Sequence, residues 1–170
     1  FSGMTVGIGA ISRADDKPGL VMAADRMVTL RSQIEYEDTD SKLEIISEAG
    51  PLTAAAIGSG SLSLIDDILD RLDRLIIEQT PTDMEDLMVL VRDAYQNMVK
   101  EAINNNILYA FDLEIQDLHD EGTDLADGVE ERVLNDIASY RKKIRENVSI
   151  LFGGVAGGEC SLYTLDCPDY

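Results

Sequence analysis

Histidine is nearly absent from this chain of 170 residues: only His119 occurs. That scarcity excludes a Ser-His-Asp triad, since "IQDLHDEG" is a strongly polar stretch and no second imidazole exists. It reads instead as a solvent-exposed helix-end histidine. Cysteine is also scarce. Cys160 and Cys167 lie seven apart, without C-x-x-C spacing or a histidine partner, so they read as free thiols and no metal site is expected. Basic residues number 14 against 33 acidic ones, leaving a net charge of −19. Such a field repels nucleic acid and anionic membranes, and neither is expected as a partner. No apolar run reaches the ~18 residues that a membrane helix needs. No Walker loop occurs, and no cofactor is implied. These absences predict a soluble, cytoplasmic protein.

Hydrophobic residues make up 45% of the chain, enough for one domain with a sizeable core. The leading "FSG" reads as a foreign addition before a natural start at Met4, so the expected domain runs from 4 to 170. "MTVGIGAI", "GLVMAADRMVT" and "SQIEYED" read as strands, with "SRADDKPG" as the first turn. "SKLEIISEAGPLTAAAIGSG" predicts two more around a Gly-Pro turn. After Gly60 the period changes. "SLSLIDDILDRLDRLIIEQ" repeats Leu and Ile at three- and four-residue steps, an amphipathic helix of about five turns with an acidic outer face. A second helix follows with Thr82 as its N-cap. After a polar, irregular region of about 104–130, "VEERVLNDIASYRKKIRENV" returns as a helix. "VSILFGGVAGGECSLYTLD" closes with two strands around a glycine turn. Strands, then helices, then strands predict a layered α+β sandwich.

Three places have the residue types for chemistry. Thr5 heads the first strand, as a strand filler or as a nucleophile. Asp25 ends an apolar strand and Lys42 begins another, so they form either a buried pair or an ordinary surface ion pair. "AAAIGSGS" ends a strand before the long helix. Its glycines permit a tight turn with exposed N–H groups, which holds an anion or simply joins two elements.

Taken together, "MTVGIGAI", "AADRMVT", "SKLEII" and "AAAIGSGS" resemble the proteasome β-subunit family of N-terminal nucleophile (Ntn) hydrolases. They look closest to the proteasome-like proteins that begin Met-Thr. The likeness runs from Thr5 to about Leu165 and implies an αββα four-layer sandwich. It further implies a helical extension over about 100–146 and a C-terminal part lying beyond Tyr170. The resemblance casts Thr5 as nucleophile once Met4 is removed, with its own α-amine as base. It casts Lys42 as the cation beside the hydroxyl, Asp25 as the group holding Lys42, and Gly58 as the oxyanion N–H donor. Thr29 would pair through its backbone with an extended peptide. If "TVGI" is aligned letter by letter with the family's usual start, Gly3 takes the nucleophile's place instead. The implied activity is a threonine-type peptidase or amide hydrolase working through an acyl-enzyme ester, or a transpeptidase using the same residues. The alternatives are a non-catalytic scaffold subunit and a plain α+β binding module. A homo-oligomer, ring or helical array, is implied by the resemblance alone.

Overall fold

The computed structural model describes residues 7–14, 17–25, 27–30, 34–37, 43–48, 50–113 and 128–166. Strands β1 (Gly7–Ala14) and β2 (Lys17–Ala24) form an antiparallel hairpin, with Gly7 opposite Ala24 and Ala14 opposite Lys17. The run "GLVMAADRMVT", expected as one strand, is two. β2 stops at Ala24, before the charged Asp25–Arg26 pair, and β3 (Met27–Leu30) turns to a new partner, β4 (Ile34–Glu37). β5 (Leu43–Ser47), β6 (Leu52–Gly60), β7 (Val148–Ala156) and β8 (Glu159–Asp166) make a four-stranded antiparallel sheet in that order.

Alternation along β6 and β7 assigns the two faces of this sheet. Leu52, Ala54 and Ala56 of β6, with Val148, Ile150 and Phe152 of β7, are buried against the helices. Helix α1 (Leu62–Gln79) contributes Ile65, Ile68, Leu69 and Leu72 to that core. Helix α2 (Met84–Asn106) adds Leu87, Leu90, Val91, Ala94 and Met98. The opposite face of the sheet receives the β1–β2 hairpin. Consecutive glycines in β7 make both contacts possible. A Cβ on Gly154 would collide with the Met84 sulfur from α2, and one on Gly153 with Met22 and Leu20 from the hairpin. The central strand is thus pressed from both sides where side chains are missing.

The described layers are therefore helices, four-stranded sheet and hairpin. Among the described residues no helix covers the hairpin's outer face, where Ile8 is 59% and Val21 62% exposed. The expected fourth layer has no counterpart among these residues.

α2 has 23 residues against 18 in α1, so its C-terminal end outruns its neighbour before a 3-10 turn at Leu108–Phe111. Helix α3 (Val129–Arg145) returns beside that end. Asn106 Nδ2 donates to the Tyr140 hydroxyl at 3.2 Å, and the Arg132 guanidinium lies over the Phe111 ring at 5.8 Å. The α2 N-cap is Asp83 rather than Thr82. Its carboxylate accepts the Asp86 N–H at 2.9 Å, while the Thr82 hydroxyl donates to the Asp86 side chain at 3.1 Å. No described helix is long and apolar enough to cross a membrane.

Candidate active site

Three strand ends, Gly7, Ala24 and Leu43, meet Ile57, an interior residue of β6, where the stacked sheets touch. In the hairpin, Gly7 of β1 is paired with Ala24 of β2. In the four-stranded sheet, Leu43 of β5 is paired with Ile57 of β6. The layers join because a Cβ on Gly7 would stand 2.8 Å from Ile57 Cγ2. These four residues have a shared property along the chain. Gly7 comes two after Thr5, Ala24 one before Asp25, Leu43 one after Lys42 and Ile57 one before Gly58.

Of the site residues expected from sequence, Asp25 and Gly58 are fully described. Thr29 is described as a strand position, while Thr5 and Lys42, like His119 and Cys167, lie outside the described residues. Asp25 follows β2 directly and is half-buried. Thr29 lies in β3 opposite Glu35 of β4. Its strand is paired on one edge among the described residues, which leaves the other edge for an added strand.

Gly58 departs from its expected setting. It does not start a tight turn. β6 stays in register with β7 through Gly58↔Ile150, Ser59↔Ser149 and Gly60↔Val148, so the strand ends only at Gly60. Gly58 is buried, and a Cβ there would stand 2.7 Å from Ile65 Cγ2 on α1. The backbone bends at Gly60, where φ is +118°, a conformation that favours glycine. The following N–H, of Ser61, is already spent on the Asn147 carbonyl at 2.7 Å. The exposed anion-binding turn expected from "IGSG" is thus a continuous strand, because β7 supplies a partner along its whole length.

An acidic group beside this end escaped the sequence reading. Glu44 pairs opposite Ala56, on the helix side of β5. Its carboxyl is pushed above the ordinary range by burial, then by repulsion from Asp73, Asp66 and Asp70 of α1. Asp66 and Asp73 are also raised, by burial first and by Asp70 second. The four- and three-residue steps of Asp66, Asp70 and Asp73 were the available signal for a stripe on one helix face. Nothing in the sequence brought Glu44 to it.

Compared with known proteins, the chain matches no family model, no curated protein and no solved structure.

Proposed function

We propose that the chain is a threonine-type amide hydrolase acting in the cytoplasm on peptides or related amides. The observation that carries the reading is the meeting of Gly7, Ala24, Leu43 and Ile57, whose chain neighbours include Thr5, Asp25, Lys42 and Gly58. A scattered set of strand positions would have argued against it.

In the proposed reaction the Thr5 hydroxyl oxygen attacks the substrate carbonyl carbon, and the Thr5 α-amine takes the hydroxyl proton. A free α-amine titrates at ~7.7–8.0, which suits a base near neutrality and removes the need for histidine. The Lys42 ammonium favours the developing alkoxide, and the Asp25 carboxylate orients that ammonium. One backbone N–H, assigned to Gly58, donates to the oxyanion and would be worth ~3 kcal/mol in the transition state. Collapse expels the amine, which leaves with the proton held on the α-amine, and an acyl ester remains on Thr5. Water resolves the ester in a hydrolase, and a second amine does so in a transpeptidase. The chemistry requires removal of Met4, because a peptide bond on the Thr5 nitrogen takes away its basic lone pair.

One observation favours a non-catalytic scaffold instead. The contact with Ile65 accounts for glycine at position 58 without any oxyanion.

Protein that begins at Thr5, verified by intact mass, is to be incubated with a peptide epoxyketone, which needs both a hydroxyl and a free α-amine to close its ring. The expected result is one adduct per chain, lost in Thr5→Ala. A fully exposed Thr5 that forms no adduct, with correctly folded protein, overturns the reading in favour of the scaffold.

A further inference from the structure

The charges of this acidic chain are unevenly shared between its helices. α1 carries five acidic residues against two basic ones, whereas α3 carries five basic against three acidic. On α1, Asp66, Asp70, Asp73 and Ile77 are exposed and follow one another by four, three and four residues. They therefore share one face of the helix. On α3, Leu134, Ala138, Arg141 and Arg145 are exposed and have the same spacing. Each stripe is about 16 Å long at the helical rise per residue.

Laid antiparallel, the two stripes complement each other along their length. We propose that α1 of one copy packs antiparallel on α3 of a second copy, with Asp66 facing Arg145, Asp70 facing Arg141, Asp73 over Ala138 and Ile77 against Leu134. Ile77 is 81% exposed and Leu134 50%, so the apolar end of each stripe lacks cover among the described residues. Ala138 is small enough to admit the facing helix.

Solvation and helix dipoles explain this pattern incompletely. The α1 first turn, where its dipole rewards acid, contains none. The aspartates sit farther along, where partial desolvation, and then repulsion from Asp70, raises the Asp66 and Asp73 carboxyls. A facing cation relieves this cost. On α3 the dipole favours the cations of the last turn, Lys142, Lys143 and Arg145, but Arg141 precedes that turn. Antiparallel helices also set their dipoles in the favourable sense.

The contact goes beyond the proposed hydrolase chemistry and stands or falls separately, since it uses none of those residues. It can be made twice in a closed two-fold dimer, or once per neighbour in a head-to-tail series. The test is sedimentation equilibrium on the full chain, with circular dichroism to confirm folding. Asp70→Arg and Arg141→Asp are each expected to weaken self-association by at least about tenfold. Placing both reversals on one chain should restore it, and an equimolar mixture of the two single variants should associate better than either alone. Ile77→Asp should weaken association without rescue by the charge swap. A chain that stays monomeric up to about 100 μM, or an assembly indifferent to these reversals, overturns the proposal.

Discussion

Gly7 lies directly upon Ile57: the hydrogen that stands where other residues carry Cβ points at Ile57 Cγ2, which a real Cβ would approach to 2.8 Å. This contact helps join the hairpin to the four-stranded sheet beside Ala24 and Leu43, the chain neighbours of Asp25 and Lys42. The neighbour has little room to yield. Cγ2 hangs directly from Cβ of a β-branched side chain, itself buried on an interior strand of the sheet.

Gly7→Val is therefore expected to destabilise the fold by about 1–3 kcal/mol through overpacking. Thermal or urea unfolding checks it. In protein that begins at Thr5, the same change should slow epoxyketone labelling even at temperatures where the variant remains folded. Unchanged stability would mean that the two layers can separate at this end without cost.

Stability should rise on mild acidification, and Glu44 is a cause. Its carboxyl titrates higher in the folded protein than in the unfolded chain, because burial and the α1 aspartates oppose its charge. Below the unfolded value both states are protonated, and this group contributes no pH dependence. As pH climbs toward the folded value, the unfolded chain loses its proton first and stability falls. Asp66 and Asp73 act in the same direction. Melting temperature is thus expected to increase as pH falls from neutrality toward the ordinary carboxylate range, and Glu44→Gln should raise it at neutral pH while flattening that increase. A Glu44→Gln protein with an unchanged profile would place the pH dependence elsewhere.

Asp83→Ala should cost about 1 kcal/mol, since it removes the acceptor for the Asp86 N–H at the start of α2. Thr82→Ala should cost less, because the Thr82 hydroxyl bonds the Asp86 side chain rather than the helix backbone. Denaturant midpoints of the two single variants rank them. The reverse order would return the cap to Thr82.

Much of the fold was legible in local pattern. The heptad-like steps of Ile65, Ile68, Leu69 and Leu72 place α1 without any knowledge of its partners, because a helix needs only one apolar stripe. The helix at 129–145 and the last strand pair were readable in the same way. Two local readings failed where a partner decided the outcome. "IGSG" looks like a turn by composition, yet β7 holds it as a strand through Gly60. "GLVMAADRMVT" looks like one apolar run, yet its halves pair with different strands.

The candidate site divides along the same line. Asp25 and Gly58 could be singled out by residue type and position at the ends of apolar runs. That Gly7 and Ala24 meet Leu43 and Ile57 could not be, since those contacts join segments separated by up to 50 residues. By itself the sequence determined the acidic charge, the absence of a histidine triad, and the elements whose periodicity is local. Tertiary structure alone decided which strand positions share a corner, which glycine is packed rather than turned, and which aspartates crowd Glu44. Such relations depend on register and layer contact, and neither is written in the spacing of residues along one segment.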